Sequence, residues 1–197
     1  MSNSVLDLIN QQVSGSEVKQ MSRQIGADEE KVSNAVNAAL PILLGGLARN
    51  SENPQGAESL SAALSRDHDG GILDDVQGFL GRGNISTGQS ILDHIFGGKS
   101  DAMASVLGRV SGLDANSAGN LLALLAPIVM GALGKFQRQT GVDAGGLSNV
   151  LSEERARLEQ STSGLGGLAR LLDFDGDGQI IDDIGKIVSV LGNMFRR

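Results

Sequence analysis

A chain of 197 residues with 40% hydrophobic content is long enough to bury a substantial core, as one domain or two small ones, and its 28 glycines, scattered without a period, exclude collagen. The lack of Trp and Tyr, the mere five Phe and a net charge of −7 leave few stacking platforms and no net attraction for nucleic acid. With no Cys, a disulfide framework, a thiolate zinc site and a cysteine nucleophile are all excluded.

The opening MSNSVLDLINQQ is polar and acidic and lacks the basic start and apolar run of a signal peptide, so the chain is expected in the cytoplasm. Apolar residues at 18, 21 and 25, and then at 32, 36, 39, 40, 43, 44 and 47, follow the 3.6-residue helical period. Gly26 should end one helix and Asp28 cap the next. Pro41 falls inside that long apolar helix and should kink it, while Gly45, one turn on, should let another helix come close. Met21 to Val36 also has the outline of a helix-turn-helix. Its second helix opens with Asp28, Glu29 and Glu30, which would meet phosphates with like charge, and continues with the uncharged Ser33, Asn34 and Asn37. Plain helix packing is the favoured reading, and a helix-turn-helix DNA-binding regulator is the alternative.

RNSENPQGAE, residues 49–58, reads as a linker before LSAALS at Leu60 and the acidic DHDGGILDDV at Asp67. GRGNISTG, residues 81–88, lacks the Gly-Lys-Ser/Thr ending of a phosphate loop and reads as a second linker. The two histidines are His68, between Asp67 and Asp69, and His94, beside Asp93. Neither has a spaced partner that would make a triad or a zinc site, so no catalytic residue is assigned and the protein is expected to be no enzyme.

The first stretch is then written again. Val5–Arg49 aligns without a gap on Ile91–Lys135 at an offset of 86, with identities that include Gly26 with Gly112, Asp28 with Asp114, Pro41 with Pro127 and Gly45 with Gly131. The apolar LLALLAPIVMGALG, residues 121–134, has fourteen residues where a membrane span needs about 20, and it contains a proline, so a buried helix is expected. LSNVLS at Leu147 matches LSAALS. After an insert that includes the charged EERARLEQ, DGDGQIIDDI at Asp175 matches DHDGGILDDV. The expected fold is all-α, with two tandem helical units, 1–82 and 91–197, joined by a linker at 83–90. Each would be followed by an acidic loop and a short helix, and the two would pack with pseudo-twofold symmetry around the proline-containing helices.

DFDGDGQIIDD, residues 173–183, holds five carboxylates and no Lys or Arg. Two carboxylates about 6 Å apart repel by roughly 0.7 kcal/mol in water and roughly 3 at an effective dielectric of about 20, so such a loop needs a cation or full solvation. Asp173, Asp175 and Asp177 fall at positions 1, 3 and 5 of an EF-hand-type loop. Gly178 supplies the turn, Gln179 a carbonyl at 7 and Ile180 the apolar position 8. Position 12 is Ile184 where a bidentate Glu is usual, and Asp182 or Asp183 would have to close the shell. The expectation is weak Ca2+ binding. Otherwise Asp182 and Asp183 cap a helix running to Phe195. In the first loop, with Ser65 at position 1, the carboxylate ligands would be Asp67, Asp69 and one of Asp74 or Asp75.

The two proline-containing helices, NAALPILLGGLA and LLAPIVMGALG, together with DGDGQIIDD, resemble the bacterial YidB-like family of unknown function (domain of unknown function 937). The resemblance implies an all-helical cytoplasmic bacterial protein and supplies no catalytic residues. The sequence thus reads as a non-enzymatic helical protein acting through a protein partner or self-association, with Ca2+ as its cofactor. No nucleic acid, membrane span or small-molecule substrate is inferred.

Overall fold

The computed structural model describes residues 4–83 and 85–161. The chain divides into two compact units, residues 1–155 and 156–197. Every element among the described residues is helical: α1 (Val5–Gln12), α2 (Gly15–Ile25), α3 (Glu29–Ser51), α4 (Pro54–Asp67), a 3-10 turn (Gly71–Asp74), α5 (Val76–Gly81), α6 (Ser86–Phe96), α7 (Ser100–Ser111), α8 (Ala115–Thr140) and α9 (Ala144–Ser161).

The helix ends follow from local chemistry. Ser4 and Asp7 cap α1 reciprocally: the Asp7 N–H donates to Ser4 Oγ at 3.1 Å and the Ser4 N–H to Asp7 Oδ2 at 3.2 Å. Gly26 (φ 68°) ends α2 in the left-handed region, and Asp28 accepts from the Glu30 and Lys31 N–H groups to start α3. Gly112 (φ 74°) ends α7, and Asp114 accepts from the Ser117 N–H and hydroxyl to start α8. Those bonds hold the Asp114 carboxyl below the usual range. Both long helices run on through their prolines, Pro41 and Pro127.

Both expected linkers are shorter than the sequence suggested. α3 continues to Ser51, and α4 already begins at Pro54, because Asn53 Oδ1 takes the Gly56 N–H at 2.7 Å and proline suits a first helical position. Likewise α6 starts at Ser86, within the stretch read as linker.

α8 is the hub. All residues from Leu121 to Gly134 are buried, and α8 packs against α1, α2, α3, α4, α6, α7 and the 3-10 turn. At 26 residues it is longer than the apolar run alone suggested, and it is long and apolar enough to cross a membrane; 83% of its apolar window is buried within the protein. α3 in turn lies against α6, α7 and α8. Helices from both sides of residues 83–90 pack together in one core, as expected of two units that pack on each other.

The close approaches fall on different glycines from those expected. A Cβ at Gly45 would meet nothing within 4 Å; its neighbour Gly46 is the one pressed against Ile95 and Phe96 of α6. Gly131 does mark a close contact, with the Ile72 side chain. The tightest approaches between elements are at Gly88, against the Ala123 carbonyl, and Gly134, against the His68 carbonyl; within one connection, Gly56 is as close to the Asn50 carbonyl. α9 is tied to α1 by the buried Glu154, whose Oε1 accepts from the Val5 N–H at 3.1 Å; its Oε2 has no hydrogen-bond partner among the described residues.

Candidate functional site

The first acidic loop is not built as a cation site. Ser65 and Asp67 belong to α4, and a helix cannot offer the alternating loop positions that an EF-hand shell requires. Asp67 accepts from the Arg66 guanidinium at 2.7 and 2.9 Å, which holds its carboxyl below the usual range. Asp69 divides its oxygens between the Gly71 N–H (3.0 Å) and Arg138 (3.1 Å). Asp75 caps α5 through the Gly78 N–H at 2.8 Å, and Asp74 sits exposed in the 3-10 turn. The structure thus does not bring Asp67, Asp69, Asp74 and Asp75 together, and no group of three or more His, Asp or Glu placed to hold a metal occurs among the described residues. Asp173, Asp175, Asp177, Gln179, Asp182 and Asp183 lie outside the described residues.

The histidines stand apart from each other's chemistry. Half-burial lowers the basicity of His68, offset in part by Asp67, and exposed His94 has its Nδ1 2.7 Å from the Ser90 carbonyl. The helix-turn-helix outline is present as α2 and α3, with Glu29, Glu30, Lys31, Ser33, Asn34 and Asn37 exposed.

A concave site that the sequence did not suggest lies between α2 and α5. It is an open groove of about 440 Å³, lined by Lys19, Gln20, Arg23 and Gln24 from α2 and by Gln77 and Gly81 from α5. Beneath it, Met21, Val76 and Leu80 are buried. Above that apolar seam, amide bonds fasten the two helices. Gln20 Nε2 donates to the Gln77 carbonyl at 3.0 Å, and Gln24 Nε2 to the Leu80 carbonyl. Gln77 Nε2 donates to Glu17 Oε1 at 3.0 Å.

Glu17 is the pin of this arrangement. Burial opposes its ionisation, yet hydrogen bonds from Ser14, Gln77 and Ser16 outweigh that and hold the carboxyl at about 2. The same carboxylate caps α2, accepting from the Ser14 N–H at 3.1 Å and the Ser14 hydroxyl at 2.5 Å. Lys19 and Arg23, by contrast, are exposed and form no ion pair with an acid among the described residues. The only spacing clue in the sequence was that Lys19 and Arg23 stand one helical turn apart. Nothing local announced that α5 would fold back beside them.

A consequence is acid sensitivity. The stability that Glu17 adds is complete above its unfolded value of 4.5 and is lost as pH falls from there toward 2. Glu17→Gln should cost about 1–2 kcal/mol near neutrality, through the cap and the Gln77 bond. Melting curves of parent and variant between pH 7 and 2.5 should converge at the acid end; a gap that stays constant with pH would contradict this role.

Residues 7–136, from Asp7 in α1 to Phe136 in α8, match a family described as bacterial protein of unknown function (DUF937), more than half of the chain. The chain belongs to that family. The DUF937 match takes in the groove, α3, the 3-10 turn and the α8 hub, and ends before α9 and before residues 173–183. No curated protein and no solved structure matches the chain.

Proposed function

We propose that this DUF937 protein is a non-enzymatic interaction protein, a duplicated helical scaffold that engages a protein partner through the α2/α5 groove and takes up Ca2+ weakly at residues 173–183. The observation that carries the reading is the groove itself, with Lys19 and Arg23 lacking acid partners among the described residues of a chain of net charge −7 and with amide walls already fixed by Glu17, Gln77 and Leu80. Cations left unpaired beside pre-positioned amides favour contact with another molecule, because ordering costs are met before binding.

For the metal, the support is the donor set. Asp173, Asp175, Asp177, the Gln179 carbonyl and Asp182 or Asp183 are hard oxygen ligands with no soft ligand among them, which suits Ca2+ better than zinc or copper. A bound Ca2+ would neutralise the repulsion among those carboxylates. DNA reading has less support, because the helix that would enter the groove of a duplex starts with exposed Asp28, Glu29 and Glu30.

The interaction reading is tested by placing a photo-crosslinking residue in the full chain at Ser16, on the groove rim, and separately at exposed Asn149 of α9. Protein adducts should form from position 16, be scarce from position 149, and disappear when Lys19 and Arg23 are both changed to Glu. Equal adducts from both positions, or none from position 16, would sink the proposal.

A further inference from the structure

We infer that the α2/α5 groove takes an extended acidic segment of a partner protein, one carrying carboxylates at alternate residues. This rests on the interaction reading above and adds the chemistry of the partner. Lys19 and Arg23 are four residues apart on one face of α2, which sets their Cβ atoms about 6 Å apart. Alternate side chains on one face of an extended strand repeat at about 6.6 Å, so an acid-x-acid pair presents its two carboxylates at the spacing of the two cations. Arg23 offers a planar fork suited to one carboxylate and Lys19 a compact point charge for the other.

The remaining wall chemistry fits a peptide backbone. Gln20 and Gln24 each spend one donor on α5, on the Gln77 and Leu80 carbonyls, which leaves the side-chain carbonyl oxygens and the second N–H groups to meet the alternating donors and acceptors of an extended chain. A nucleobase or sugar ring would ask for a stacking face, and none of the groove-lining residues is aromatic. A long polyanion would also meet the repulsion of a chain whose net charge is −7, whereas a short segment with two or three carboxylates engages only the local cations.

The cation and amide pattern of α2 is not repeated at the aligned positions of α7. At the sequence-aligned positions of α7, Lys19, Gln20, Arg23 and Gln24 become Ser105, Val106, Arg109 and Val110, so one cation and both amides are lost. One acidic segment per chain is therefore expected.

The probe is a fluorescein-labelled peptide with Asp-Ala-Asp-Ala-Asp at its centre, titrated against the full chain by anisotropy, beside the same peptide with Asn for Asp, and with inorganic phosphate as competitor. The Asp peptide should bind in about 50 mM salt, weaken steadily toward about 500 mM, and exceed the Asn peptide by at least about tenfold. Lys19→Gln with Arg23→Gln should remove the preference while leaving the melting curve unchanged, both side chains being exposed. Arg23→Lys should restore part of it, since charge returns without the fork. Equal binding of the two peptides, a preference that survives the double variant, or full displacement by millimolar phosphate would overturn the acidic-segment assignment. If adducts still form from position 16 in that case, the groove is a protein contact of other chemistry; if they fail as well, the interaction reading falls with it.

Discussion

Replacing Gly88 or Gly134 by alanine should lower the melting temperature by roughly 6–12 °C, equivalent to about 3 kcal/mol or more. A methyl group at Gly88 would overlap the Ala123 carbonyl of α8, and one at Gly134 the carbonyl of His68. Both obstacles are backbone atoms. They cannot rotate aside as a side chain can, so α6 or the end of α4 must move off α8 and open the core around Leu121–Gly134. Gly131→Ala should cost less, because what it meets is the Ile72 side chain. Gly45→Ala should have the opposite sign: with nothing within 4 Å and a helical backbone, it should gain about 0.5–1 kcal/mol from reduced unfolded-state entropy. Thermal unfolding followed by circular dichroism separates the three classes. Gly88 and Gly134 variants that melt with the parent would mean that the α6/α8 and α4/α8 contacts are misplaced.

Calcium should raise the melting temperature by an amount equivalent to about 2.7 kcal/mol when its free concentration is a hundredfold above the dissociation constant, provided that it binds only the folded state. Without a bidentate Glu at position 12, that constant is expected in the weak range, on the order of 10⁻⁵ to 10⁻³ M. Changing Asp175 and Asp177 together to Asn should abolish most of the rise. The same change at Asp67 and Asp69 should leave the calcium response intact, while lowering baseline stability slightly through the lost Gly71 and Arg138 bonds. Mg2+ should do less, because it demands a tight octahedron and gives up water reluctantly. An unchanged melting curve in about 5 mM Ca2+, with no heat on calorimetric titration, would leave the acidic run as solvated carboxylates.

Helical character and helix punctuation were legible in the sequence because they depend on residues close together in the chain. Gly26 and Gly112 take left-handed backbone, Asp28 and Asp114 satisfy the first free N–H groups, and apolar residues recur at the helical period, so each signal is complete within about one turn. Burial of residues 121–134 and the close contact at Gly131 came out as expected, but other inferences that needed a particular neighbour from elsewhere did not. Gly45 and Gly46 are indistinguishable in sequence; only the seat of α6 decides that Gly46 meets Ile95 and Phe96 while Gly45 faces open space. Asp67 and Asp69 look like ligands until α4 is found to run through Asp67, and Arg138 of α8 is found beside Asp69. Glu154, in the charged insert, is buried under the start of α1, where the Val5 N–H and the positive end of the helix meet its carboxylate. The groove belongs with these. Lys19 and Arg23 are two surface cations in the sequence, and they become a site only because Glu17, Gln20 and Gln24 bind α5 from nearly 60 residues away, a pairing set by burial of Met21 and Leu80 and by no local pattern.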